Sequence, residues 1–175
     1  MISRLALLGG ICLLTMGAQF SCSSGDSNDD RGPGNDQFDV ELVLLATNGA
    51  ERTQFTFGSN IVFELVVRNR SGASQTLTLP TNQVFEFAVF EPGAASPRWR
   101  WSTNQAFSPV QSTYTYGPRQ SLTYPYVWQG VLDDGTQLMP GTYEFRGTLA
   151  YPQYDANWRG NNNLSARART ITITN

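Results

Sequence analysis

At 175 residues the chain has room for one ordinary domain, large enough to bury a core without staples. Its 12 basic and 14 acidic residues leave a net charge of −2, which excludes the basic field that nucleic-acid binding needs, and the absence of histidine excludes Ser-His-Asp or Cys-His nucleophiles and His-ligated zinc. Apolar content of 40% with 16 glycines fits a β-rich globular body.

The N-terminal run MISRLALLGGICLLTMGAQFSC carries one charge, Arg4, then an apolar stretch from Leu5 to Phe20 broken by Gly9, Gly10 and Gly17. It is too short and too glycine-interrupted for a membrane span of about 20 apolar residues, and it reads as an export signal. Residues 23–37, SSGDSNDDRGPGNDQ, hold no apolar side chain to bury and are predicted to be a flexible polar tether. Signal, cysteine and tether resemble a bacterial lipoprotein, with 1–22 as a signal peptide ending at the lipidated Cys22, 23–37 as tether and 38–175 as the folded domain. Ser21 fits that pattern, whereas Gln19 and Phe20 depart from it. Cleavage after Ser23 is the alternative and releases a soluble secreted protein. The expected location is therefore the bacterial envelope, membrane-anchored at Cys22, or the outside of the cell. Cys12 leaves with the signal, so the mature chain has no internal disulfide and must be stabilised by packing. Asp26, Asn28 and Asp30 imitate the start of a calcium loop, but Arg31 and Gln37 stand where its glycine and bidentate glutamate belong. No metal is expected, and without a phosphate loop or dinucleotide fingerprint no cofactor either.

From Phe38 onward short apolar runs recur between Gly, Pro, Asn and Ser clusters, without a sustained helical period. FDVELVLLAT and QFTF come first. NIVFELVVRN sets Ile61, Phe63, Leu65 and Val67 on one face, and QTLTLP alternates Leu77 and Leu79 with threonines. QVFEFAVFE places Phe85, Phe87 and Val89 opposite Glu86. SLTYPYVW follows, with Pro125 marking an edge or bulged strand. GTYEFRGTLAY places Tyr143, Phe145, Leu149 and Tyr151 opposite Glu144, Arg146 and Thr148, and ARARTITIT ends the series. Alternation with one polar face predicts antiparallel sheets solvated on one side. The fold class is all-β, an immunoglobulin-like antiparallel sandwich of about eight or nine strands, with a barrel as the alternative.

In RWRWS, Arg98 to Ser102, a strand puts Trp99 and Trp101 on one face and Arg98 and Arg100 on the other. Burying two indoles of roughly 150–250 Å² each is worth several kcal/mol apiece, so the inward reading is preferred to an exposed platform for sugar or peptide. The arginines then form a solvated face, within reach of Glu86 or Glu144, in exposed contacts worth little individually. Asp133-Asp134-Gly135 reads as a hairpin turn before it reads as an acid/base pair.

FEFAVF with Phe85 and Phe87, RWRWS with Trp99 and Trp101, Phe107, GPRQSLTY, Trp128, Asp134-Gly135 and PGTYEF with Pro140, Gly141 and Tyr143 together resemble the BsuPI-type intracellular proteinase inhibitors over about 60–150. The resemblance implies an immunoglobulin-like β domain and a protein partner, a proteinase. It transfers no reactive-site residue, and Gln120 replaces the acidic residue expected in the family's turn. With no catalytic constellation, the chain is read as non-enzymatic. Binding then belongs to loops on a rigid scaffold: Glu91 to Arg98, Thr103 to Ser112, and Pro152 to Asn163. The last holds Tyr154, Trp158 and Arg159, residue types enriched in interaction hot spots, and is the candidate binding loop. An envelope assembly module pairing through a sheet edge, and a glycan-binding module using exposed aromatics, are the alternatives.

Overall fold

The computed structural model describes residues 37–149 and 164–175. They form ten strands: β1 (Phe38–Leu45), β2 (Gln54–Thr56), β3 (Ile61–Asn69), β4 (Gln75–Leu79), β5 (Phe85–Phe90), β6 (Trp99–Arg100), β7 (Ser112–Tyr116), β8 (Ser121–Trp128), β9 (Gly141–Leu149) and β10 (Arg169–Thr174). A three-stranded sheet in the order β1-β3-β8 faces a five-stranded sheet in the order β2-β10-β9-β5-β6, and β4 and β7 form a separate ribbon. All pairings are antiparallel except that of β2 with β10, a three-residue parallel contact. The antiparallel sandwich expected from the alternation is therefore the fold. Among the described residues no helix is long and apolar enough to cross a membrane.

The alternation sets which faces meet. Phe38, Val40, Leu42 and Leu44 of β1 and Ile61, Phe63, Leu65 and Val67 of β3 are all buried, against Phe87, Val89, Phe145 and Leu149 of the other sheet. Phe63 is the centre of the contact, with ring centroids 5.0 Å from Phe87, 5.2 Å from Phe145, 5.7 Å from Trp99 and 6.0 Å from Trp128. Pro125 lies on β8, an edge strand, where its missing N–H costs no ladder bond. At Gly147 the opposite sheet leaves no room for a side chain. A Cβ there would stand 3.0 Å from Leu65 Cδ1 and 3.3 Å from both Leu42 and Phe87, all buried. Gly147→Ala should therefore destabilise the chain by about 1–3 kcal/mol through overpacking, read as a lower denaturation midpoint with an unchanged slope.

The β4-β7 ribbon closes one end of the core with Leu77, Leu79 and Tyr116. Tyr116 packs edge-on against Phe38 at 5.1 Å and shares a 2.8 Å hydroxyl contact with Tyr124 of β8. Burial, with the neighbouring Tyr124 adding to it, pushes the Tyr116 phenol well above its ordinary range, so it stays neutral. Fully buried Asn69 ties this end together: its amide nitrogen donates to the carbonyls of Ala73 and Gly117 at 2.8 Å, and its oxygen accepts from the N–H and hydroxyl of Ser71. In the turn before β8, Gln120 Oε1 accepts the Gly117 N–H at 2.6 Å, the role an acidic side chain would fill there.

Two expectations need correction. The segment STYTY, β7, is a strand where the sequence reading left no element, and the face of β5 opposite the core is not solvated. Glu86, Ala88 and Phe90 are fully buried, because β5 lies inside a five-stranded sheet and its outer face is overlaid by the Ser102 turn and by Arg146, whose guanidinium sits 4.2 Å above the Phe90 ring.

Candidate functional site

The RWRWS segment lies along the seam between the two sheets. Trp99 pairs with Val89 across β6 and β5, and its indole enters the core, 4.9 Å from Trp128 and 5.9 Å from Tyr126. The strand stops after Arg100. Trp101 opens a single 3-10 turn, Trp101–Asn104, so it does not continue the extended alternation assumed from sequence. Its ring nevertheless turns inward, 4.5 Å from Phe85 and 5.6 Å from Phe107, and is half-buried. Together these rings fill the seam between the edge strands β6 and β8. Trp99, Trp101 and Trp128 accordingly offer no flat exposed platform for a sugar.

The arginines are not a uniform solvated face. Arg98 pairs with Glu91 at 2.5 Å and approaches Asp134 at 3.7 Å, instead of Glu86 or Glu144. Arg100 is half-buried beside Glu86, and Arg146 takes Glu144 at 2.6 Å. Glu86 Oε1 accepts the backbone N–H of Phe87 and of Ser102, each at 3.1 Å, and its Oε2 accepts the Ser102 hydroxyl. Desolvation outweighs these contacts and the Arg100 charge, so the carboxyl is raised above its ordinary value. This buried carboxylate holds the 3-10 turn onto β5.

Strand directions gather four loops, 46–53, 57–60, 91–98 and 129–140, at one end of the sandwich. The last is a small hairpin. Val131 bridges Gln137, Leu132 N–H donates to Thr136 at 2.8 Å, and Leu138 N–H donates to Gly130 at 2.7 Å. Gly135, at φ +81°, makes the Asp133-Asp134-Gly135 turn expected from sequence. Asp134 accepts from the Thr136 hydroxyl and N–H, which hold its carboxyl below the ordinary range. Asp133 fastens the hairpin to the RWRWS turn by accepting the Thr103 hydroxyl at 2.8 Å. Leu132 and Leu138 are buried and root the hairpin in the core, while Val131 and Met139 face outward at 38% and 61% exposure. The Trp128 indole N–H donates to the Val131 carbonyl at 3.0 Å, and the Tyr143 hydroxyl donates to the Met139 carbonyl at 3.0 Å. A shallow groove beside Met139 is lined by Glu91, Arg98, Leu132, Thr136 and Tyr143.

Of the expected motif residues, Phe85, Phe87, Trp99, Trp101 and Trp128 meet in the aromatic seam, whereas Pro140, Gly141 and Tyr143 close the 129–140 hairpin. Cys22, Tyr154, Trp158 and Arg159 lie outside the described residues. Met139 is not among the residues expected from sequence to bind. Its available signal was an apolar residue between a turn and a proline, with no strand periodicity to place it in the core. Among the described residues no group of three or more His, Cys, Asp or Glu could hold a metal ion.

Compared with known proteins, residues 38–154 match the model of a family described as BsuPI, intracellular proteinase inhibitor. The match stops short of Trp158 and Arg159. No curated protein matches. Solved structures that resemble the chain include a β-glucosidase from Listeria innocua in complex with isofagomine, at 9% identity and TM-score 0.40, covering 78% of this chain and 16% of that one. A CARDB domain from Pyrococcus furiosus in complex with di-metal ions gives 14% identity and TM-score 0.39, covering 80% and 96%. An alkylpurine DNA glycosylase from Pseudomonas fluorescens, bound to DNA containing an abasic site analog, gives 8% and 0.44, covering 79% and 31%. At these scores the likenesses carry no functional weight, and the chain spans a small part of the two enzymes.

Proposed function

Because the chain belongs to the BsuPI family of intracellular proteinase inhibitors, we propose that it is a non-enzymatic proteinase-binding domain, held at a bacterial envelope membrane by a lipid on Cys22, that blocks its target by inserting a loop in the cleft. The observation that carries this reading is the family match over 38–154, which takes in every strand of the sandwich except β10. The buried aromatic seam supports it, since it leaves recognition to connecting segments on a stiff scaffold. The family description says intracellular, and the export signal makes this chain an exported form of the same domain.

Two experiments test the parts separately. The full-length chain, purified in detergent, should inhibit at least one serine endopeptidase of a broad panel with a nanomolar constant; no inhibition anywhere in the panel contradicts the proteinase reading. For the anchor, Cys22→Ala should abolish labelling by radioactive palmitate and move the chain from the membrane to the soluble fraction, because acyl chains contribute about 0.8 kcal/mol per buried CH₂. Unchanged membrane association in that variant contradicts the lipid tether.

A further inference from the structure

Five large hydrophobic side chains are exposed among the described residues, Phe57, Val110, Val127, Val131 and Met139, and three of them fall between 127 and 139. Val127 lies on the outer face of β8. Val131 opposes Gln137, and Met139, two residues further along, projects to the same side of the hairpin as Val131 while Leu132 and Leu138 point into the core. Val131 and Met139 are thus two exposed apolar side chains on the hairpin, with Gln137 between them, and Met139, at 61% exposure, is the more prominent. Glu91 and Arg98 line the groove beside Met139, and Arg98 in turn approaches Asp134, so an apolar side chain stands beside a charged rim, which is the anatomy of a protein interface.

The hairpin is also held rigidly. Both legs of the hairpin are bonded to each other and to Trp128 and Tyr143, Gln137 Nε2 donates to the Gln129 carbonyl at 3.0 Å, and Gly130, at φ +75°, makes room for that amide. Pro140 fixes the backbone after Met139. A loop already fixed in its bound shape loses little conformational entropy on docking. Val110, the other strongly exposed candidate, sits in the connection to β7, which is tied by the Asn82 to Ser108 contacts two residues earlier.

Resting on the inhibitor reading, we infer that the 129–140 hairpin is the element that enters the proteinase and that Met139 fills the primary pocket of an endopeptidase whose pocket is apolar. An unbranched thioether adapts to such a pocket without leaving a polar group unsatisfied. The hairpin also lies within 38–154, the region shared with the family, whereas Trp158 and Arg159 do not.

Inhibition constants of the full-length chain against chymotrypsin, with its apolar pocket, and trypsin, whose pocket holds an aspartate, test this assignment. Wild type should inhibit chymotrypsin and spare trypsin. Met139→Arg should weaken chymotrypsin inhibition by at least ~100-fold, the loss of one interface hot spot, and should create inhibition of trypsin. Met139→Leu should stay within about threefold of wild type, since volume and character are kept, and Arg159→Ala should change neither constant. If wild type inhibits while Met139→Arg keeps both constants, or if Arg159→Ala abolishes inhibition, the assignment of the hairpin is overturned and the inhibitor reading survives. If wild type inhibits neither enzyme, the assignment falls; a silent broad panel removes the inhibitor reading with it.

Discussion

Phe63→Ala should lower the free energy of unfolding by about 3–5 kcal/mol, the range for emptying an aromatic site in a close-packed core. Phe63 is fully buried on the central strand β3 and touches rings from β5, β6, β8 and β9. Its removal leaves a void walled by four aromatic side chains, and these cannot collapse inward without pulling both sheets off register. Trp101→Ala should cost visibly less, because that indole is half-exposed on the 3-10 turn. Urea denaturation of the two variants ranks them; equal losses would mean that the seam is not organised around Phe63.

Glu86→Ala should cost roughly 2–4 kcal/mol, because the N–H groups of Phe87 and Ser102 lose their acceptor inside a dry contact, at about 1–3 kcal/mol each, offset by removal of a desolvated charge. Glu86→Gln separates these two effects. It keeps an oxygen for the N–H donors and removes the charge. The folded-state carboxyl is raised above its ordinary value of 4.5, so the folded chain holds the proton more tightly than the unfolded one. That contribution is fully present below pH 4.5 and is lost as the pH rises through the raised folded value. The stability of wild type relative to Glu86→Gln should therefore fall from pH 4.5 toward neutrality, and a flat difference would contradict the burial of an ionisable group there. Asp134 acts in a separate window: its folded value is lowered, so its contribution is present above the ordinary 3.8 and is lost as the pH falls further.

Much of the sandwich was legible because burial follows the period of two. Ile61, Phe63, Leu65 and Val67 announce their face in the sequence, and Pro125 announces an edge. The misses share one physical cause, which is that outer faces look alike until tertiary contacts cover them. Glu86 reads as a solvent-facing acid on an alternating strand, and contacts invisible in the local pattern, among them Ser102 sixteen residues on, bury it. STYTY alternates tyrosine with threonine and lacks aliphatic residues, so its pairing with β4 is visible only in three dimensions. Trp99 and Trp101 both turn inward, as their spacing implied, but the second does so from a 3-10 turn. Met139 is the converse case: its place between a turn and a proline was the one local signal, and that it is held outward follows only from the burial of its neighbours Leu132 and Leu138.

The most direct test of the chain as a cleft-blocking inhibitor is its affinity for one serine endopeptidase in two states, with the primary pocket free and with that pocket filled by a covalent peptide inhibitor. Insertion of a loop predicts that filling the pocket raises the dissociation constant at least ~100-fold, because the central anchor has nowhere to go. Equal affinity for the free and the filled enzyme would mean that the chain holds its partner by some other surface, and would contradict the account.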